Sequence, residues 1–371
     1  MKVEFYRHNI EEVDVERVKN VLKSIFLTTG PVTAEFEKKF AGYTGLKEVV
    51  GVNSCTAALH LSLLALGIGN GDEVITTPMT FIATATSILH AGAKPVFVDV
   101  EEDTGLIDVN KIEKTITSRT KAIMPVHLYG SMVDMTAIRD IADRYNLKVI
   151  EDCAHCIEGE RDGIKPGQLS DSACYSFYAT KNLTCGEGGA VATNNSELAA
   201  RLKILRLHGM SKDAANRYSD KYQHWDMLLL GWKYNMSDIS AALLVEQIDR
   251  LNKYWQRRRE IWGRYTEELS DIHGIEIPKI KGKSAMHLYT IWVDPERRDE
   301  ILHKIQDEGI GAAVNYMAIH TLTYFRENFG FKPDDFPTAD LIGRRTISLP
   351  FYPLLNDYEV KYVIDSIKKL I

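Results

Sequence analysis

A regular exchange between two hydrophobic periods constrains this chain more than any other feature. Segment 73–76 (Glu-Val-Ile-Thr) is a short apolar run, 81–90 has helical spacing, and 95–98 is again a short run, ending at Asp99. Segments 120–126, 135–145 and 147–150 repeat the strand, helix, strand order. Upstream, 48–52 reads as a buried strand that feeds a helix over 57–66. Downstream, 173–178 and 191–193 read as strands, with a helix over 196–207. Strands that alternate with helices form a mostly parallel sheet covered on both faces. The fold class is therefore α/β.

The flanks differ in style. Two amphipathic helices, 11–25 and 32–43, precede the sheet, with Phe36 and Phe40 four apart on one face and Thr28-Thr29-Gly30-Pro31 as the break between them. Residues 208–234 are weakly periodic, and a segment this long without its own elements in a compact protein is usually functional or interfacial. A long helix starts at Ile239, with Ser237 or Asp238 as its cap, and continues through Trp255 and Trp262. After Ile275 we expect a strand over 287–293, a helix over 299–308, a strand over 312–316, a short helix beginning at 339–342 and a closing helix over 358–370. With 371 residues, 45% of them hydrophobic, two domains are the default. We place a large α/β domain at 1–250 and a small α+β domain at 251–371, entered through the long helix.

Composition removes several classes of function. A net charge of −6 gives no electrostatic reason to expect nucleic acid or a membrane surface. The N-terminal stretch has no apolar h-region, and nothing approaches the ~20 apolar residues of a membrane span. A cytoplasmic protein is the expectation. Five cysteines (Cys55, Cys153, Cys156, Cys174, Cys185) have no framework spacing. Cys153 and Cys156 form a C-x-x-C, but no second ligand pair follows, so buried free thiols are expected and no metal.

The chemistry gathers where strands end. Segment 173–178 stops at Thr180, presents Lys181 and gives way to Gly186-Glu187-Gly188-Gly189. About twenty residues upstream, 147–150 ends in Glu151-Asp152. Open α/β sheets place their ligands at such strand exits. A lysine and a carboxylate there fit pyridoxal 5′-phosphate, whose aldehyde condenses with a lysine and whose ring nitrogen stays protonated beside an acid. Asp152 could instead cap a helix. Asn53-Ser54-Cys55-Thr56 opens a helix directly after a strand, where free N–H groups and hydroxyls suit a phosphate, or Ser54 simply caps. Ser176 could add a hydroxyl to that phosphate. Phe81 is placed to stack on the ring or to pack in the core, and His155 to meet the ring's phenolic oxygen or to sit satisfied in the interior.

Together these blocks resemble the DegT/DnrJ/EryC1/StrS family of sugar aminotransferases, which are fold type I pyridoxal phosphate enzymes. The matching stretches are Leu27-Thr28-Thr29-Gly30-Pro31, Asn53 to Leu59, Gly71-Asp72-Glu73-Val74-Ile75, Thr80 to Thr84, Pro125-Val126-His127-Leu128-Tyr129-Gly130, Glu151 to His155, and Ser176 to Gly189. The resemblance implies a seven-stranded sheet, Lys181 as the Schiff-base lysine, Asp152 as the ring-nitrogen partner and Phe81 as the stacking residue. Cys55, Thr56 and Ser176 would hold the phosphate. Tyr316 and His320 match a Tyr and a His near the substrate sugar, and Thr29 falls to the substrate in the same way. His155 stands where many members have Gln. That variant resembles the branch with perosamine synthases and the UDP-4-amino-4-deoxy-arabinose aminotransferase. Gly231-Trp232-Lys233-Tyr234-Asn235 replaces a Gly-x-Asn-x-Arg segment, so Lys233 or Asn235 would reach the partner's cofactor in a homodimer with shared active sites. Ser54-Cys55-Thr56 departs from the usual Ser-Gly-Thr. The family's dehydratases carry His in place of the lysine, which Lys181 argues against.

The expected reaction moves an amino group from an amino acid, with L-glutamate the expected donor, to the C4 ketone of a nucleotide-linked sugar, UDP ahead of GDP or dTDP, for cell-surface glycan synthesis. Lys212, Arg217 and Lys221 are candidate donors to its diphosphate. A non-catalytic cofactor-binding protein and an amino-acid aminotransferase using Arg344 or Arg345 are the rival readings.

Overall fold

The computed structural model describes residues 1–211 and 224–371. Two helices lead in, α1 (Glu12–Leu22) and α2 (Pro31–Thr44). A seven-stranded sheet follows: β1 (Glu48–Val52), β2 (Glu73–Thr76), β3 (Lys94–Phe97), β4 (Thr120–Ile123), β5 (Lys148–Asp152), β6 (Ser172–Ser176) and β7 (Gly189–Thr193), in the spatial order β1-β7-β6-β5-β4-β2-β3. β7 runs antiparallel to both of its neighbours and every other pairing is parallel. The intervening helices are α3 (Cys55–Ala65), α4 (Ala83–His90), α5 (Met135–Tyr145) and α6 (Ser196–Leu205). Val50, Val52, Ile150, Cys174 and Val191 meet α3 on one face, and Ala173, Tyr175, Phe177 and Ala190 meet Phe36 and Phe40 of α2 on the other. β2, β6 and β7 are buried at every position, which is why the sequence shows short apolar runs there.

The break at 28–31 has a physical cause. Ser237 caps α7 (Asp238–Val245) by accepting from the Ser240 amide at 3.1 Å. Asp238 instead reaches across to α2, where it accepts from the amides of Gly30 (2.8 Å) and Thr33 (2.9 Å) and from the Thr33 hydroxyl (2.6 Å). The helix expected from Ile239 is interrupted at Glu246 and resumes as α8 (Gln247–Leu269).

The C-terminal part packs β8 (Tyr289–Trp292), α9 (Arg298–Asp307) and the closing α12 (Asp357–Leu370) on α8, together with Val3 from the N-terminus. One expectation needs correction here. Residues 312–316 do not form a strand: only Ala313 bridges, to Ser348. The partner of β8 is β9 (Thr346–Leu349), antiparallel, which follows α11 (Pro337–Arg345) with no turn residue between them to announce it. A helix α10 (Thr323–Phe329) was also not anticipated. All five cysteines are buried and unpaired. Among the described residues, no helix is long and apolar enough to cross a membrane.

Candidate active site

A cavity of about 520 Å³ opens at the C-terminal ends of the parallel strands, within the ~300–1,000 Å³ usual for small-molecule sites. Its wall includes Ser54, Cys55, Thr56, Phe81, Asp152, His155, Ser176, Lys181 and Tyr316.

β5 sets the floor. Successive strand residues face opposite sides, so Asp152 faces the cavity and Glu151 faces away. There Glu151 accepts from His127 Nε2 at 2.7 Å and from the Gly167 amide at 2.8 Å, inside the protein. Asp152 accepts from the Thr84 hydroxyl at 2.7 Å and the Ala154 amide at 3.1 Å. Burial raises its pKa, while Thr84, the Ala154 amide and Lys181 pull it back. A carboxylate held this way favours a cationic partner from the cavity.

Lys181 sits on the turn after β6, its amide donating to the Tyr178 carbonyl at 2.9 Å. Burial lowers the amine to about 8, against the opposing pull of Cys55 and Asp152. At pH 7 about a tenth of such amines are neutral, compared with about four in ten thousand for a free lysine. The amine is thus prepared to attack a carbonyl.

The first turn of α3 forms the third wall. Ser54 does cap the helix, accepting from the Ala57 amide at 3.1 Å, and its carbonyl accepts from Ala58. The amides of Cys55 and Thr56 come too early in the helix for any intrahelical carbonyl, and both residues border the cavity. The Ser176 hydroxyl lies on the same wall. Gly189 makes this arrangement possible: a Cβ there would lie 2.4 Å from the Ser54 carbonyl carbon and 2.6 Å from the Cys55 nitrogen. Free helix-start amides beside a hydroxyl form an anion site. The cavity's floor acid, buried amine and anion cradle therefore fit the three ends of pyridoxal phosphate.

Phe81 is half exposed, beside Tyr316 at 5.7 Å between ring centroids, so it is available to the cavity and is not core. α4 starts two residues later than the periodicity predicts, at Ala83. His155 Nδ1 accepts from the Tyr129 amide at 3.3 Å, which leaves Nε2 to donate to the Tyr316 hydroxyl at 3.0 Å.

Four expected residues lie off this cavity. His320 is fully buried against Phe336, with Nε2 3.3 Å from the Pro333 carbonyl. Thr29 donates to the Met236 carbonyl at 2.6 Å and accepts from the Asn235 side chain at 2.6 Å. Lys233 donates to Asn235 at 2.6 Å. These three cluster beside the edge strand β1, where Asn235 bridges Val52. Arg344 pairs with Asp340 and Arg345 with Glu276, and neither borders the cavity. Lys212, Arg217 and Lys221 lie outside the described residues.

The sequence reading missed several lining residues: Phe5 and Tyr6, Tyr178, Asn315 and His287. Phe5 and Tyr6 arrive because Val3 pairs with Ile310, its amide donating to Gly309 and its carbonyl accepting from Gly311. Their signal was the pair of glycines around Ile310, since a Cβ at Gly311 would lie 2.4 Å from the Phe5 nitrogen.

Fold and site together define a small-molecule enzyme built around a strand-exit lysine. Residues 8–368 match the DegT/DnrJ/EryC1/StrS aminotransferase family, and the chain belongs to it. It is 43% identical over 370 residues to the spore coat polysaccharide biosynthesis protein SpsC of Bacillus subtilis, covering 98% of this chain and 95% of the relative. It is 39% identical to the UDP-4-amino-4-deoxy-L-arabinose–oxoglutarate aminotransferase of Shewanella sediminis, covering 98% and 97%. Among solved structures it is similar to Spr1654 of Streptococcus pneumoniae in its PMP form, with a TM-score of 0.93, 33% identity and coverage of 100% and 99%.

Proposed function

We propose that this protein is a pyridoxal phosphate-dependent aminotransferase that passes an amino group from L-glutamate to the C4 ketone of a nucleotide-linked sugar, UDP-linked ahead of GDP or dTDP. The observation that carries the reading is the buried, partly neutral Lys181 amine in one cavity with Asp152 and the α3 turn. PMP, present in the Spr1654 structure, is the aminated state of that cofactor. The 39% identical relative named as an oxoglutarate aminotransferase acting on a UDP sugar supports both donor and acceptor.

When bound, pyridoxal phosphate supplies a carbonyl that carries the amino group and a protonated ring that takes up electrons. The Cys55 and Thr56 amides with Ser54 and Ser176 would hold its phosphate, Asp152 its ring nitrogen, Phe81 its face and His155 its phenolic side. Lys181 would hold and move the proton of the amino acid's α-carbon, as base and then acid. Tyr316, whose hydroxyl already accepts from His155, can turn its own proton toward a sugar oxygen.

The chain works as a homodimer in this reading. Leu22, Ile25 and Leu27 are exposed apolar residues on the segment leading to Thr29, and the cluster of Thr29, Lys233 and Asn235 serves the second subunit's site. The division into domains at 1–250 and 251–371 belongs to the same reading.

Purified protein loaded with pyridoxal phosphate is expected to show a visible band that glutamate bleaches. A nucleotide-linked 4-keto sugar should then restore it. A band that ignores every amino acid would promote the non-catalytic reading; a band that glutamate bleaches and no keto sugar restores would leave an amino-acid aminotransferase.

A further inference from the structure

The Lys181 amine has a close polar neighbour that the proposed mechanism does not use. His287, two residues before β8, places its Nε2 3.3 Å from Lys181 Nζ. We propose that His287 is a positioning residue for Lys181: its unprotonated Nε2 accepts one N–H of the amine and so turns the amine's reactive lone pair into the cavity. This rests on the aminotransferase reading of the same site.

The direction of that hydrogen bond follows from the residues behind it. The side-chain nitrogen of Asn182 is surrounded by acceptors: both Glu158 carboxylate oxygens at 2.9 and 3.1 Å and the Ala285 carbonyl at 2.8 Å. Its amide orientation is therefore fixed, with Oδ1 turned the other way, 3.2 Å from His287 Nδ1. A carbonyl oxygen only accepts, so Nδ1 carries the ring proton and Nε2 is bare. Glu158 is held in turn by Arg258 of α8 at 3.9 Å, both side chains under 5% exposed. A buried ion pair thus sets an amide, the amide sets a tautomer, and the tautomer faces the catalytic amine.

His287 accepts without taking the proton away. Burial, with Lys181, His155 and Arg258 facing it, holds its pKa well below the ordinary histidine range. The His155 ring packs on it at 4.4 Å. The other groups that face the amine are Cys55 of α3, Asp152 of β5 and His155, and none turns a bare nitrogen toward it, since both His155 nitrogens are engaged by Tyr129 and Tyr316. An acceptor stabilises the ammonium form as well as orienting the free amine, so its removal lowers the lysine's pKa and loosens the amine.

The test compares wild type, His287→Phe and His287→Gln as full-length proteins. In the apoprotein, the pH dependence of Lys181 acylation by acetic anhydride is read by mass spectrometry. In the loaded protein, the glutamate half-reaction is followed by absorption. We expect a midpoint near 8 in wild type, about one unit lower in His287→Phe. We also expect a limiting rate of the half-reaction at least ~10-fold lower at an unchanged half-saturating glutamate concentration. Glutamine puts a carbonyl oxygen where Nε2 stood, and it should restore both quantities to within ~3-fold of wild type, whether or not the phenylalanine variant folds. A glutamine variant with both quantities displaced, or a folded phenylalanine variant with neither displaced, overturns the proposal. Because acylation needs no cofactor, a wild type that ignores glutamate while its midpoint still depends on His287 would refute the aminotransferase reading and uphold the contact.

Discussion

Lys181 holds its charge in surroundings that resist charge, and this has a consequence for stability. Its folded pKa of about 8 lies below the ordinary 10.5, so below pH 8 both states are protonated and the folded state bears the full desolvation cost. As pH rises from 8 to 10.5 the folded amine is already neutral while the unfolded one is still charged, and that cost fades. Lys181→Met should therefore stabilise the apoprotein at pH 7 by up to about 3 kcal/mol. Its advantage should vanish above about pH 10.5, as measured by thermal unfolding across pH. Lys181 and Asp152 were legible because chemistry at strand exits has a short-range signature. His287 was not, since its partners Asn182 and Lys181 lie 105 and 106 residues away along the chain and the run around it reads only as a strand.

At the scale of elements, one close approach shapes the anion cradle. A methyl group at Gly189 would meet the backbone of Ser54 and Cys55, which cannot yield as a flexible side chain does. Gly189→Ala should push the α3 turn out of line and weaken pyridoxal phosphate binding at least ~10-fold, measured by titration of its absorption. Gly311→Val should spare the cofactor, because the clash falls on Phe5, and should raise KM for the sugar substrate through the displaced N-terminal segment. Equal loss of cofactor affinity in both variants would refute the separate roles. The central strands were legible as apolar runs, and α5 to the residue, because the hydrophobic period decides them. β9 was not, because Thr346–Leu349 continues straight from α11 and gains its identity only by pairing with β8 across the chain. The stretch 312–316 carried strand-like residues but found a partner at Ala313 alone.

At the scale of the whole molecule, one chain brings nine of the expected site residues to one cavity and leaves Thr29, Lys233 and Asn235 together outside it. In the proposed homodimer, a second copy would give that cluster a purpose. Sedimentation should show a dimer. A mixture of Lys181→Ala and Asn235→Ala subunits should recover activity that neither variant has alone, because one site in each hybrid would keep both groups. No recovery in a demonstrated hybrid dimer would place Asn235 in its own subunit's service. The sequence could name these residues but not the contacts that join them, since Thr29 meets Asn235 from 206 residues away along the chain.

In the proposed enzyme, Lys181 is the residue that carries the cofactor. Borohydride reduction of the loaded protein, followed by peptide mapping, tests this most directly. A single pyridoxyl-modified peptide is expected, with the label on Lys181 and absent from Lys181→Ala. A label on another lysine, or an unlabelled protein that still shows the visible band, would contradict it.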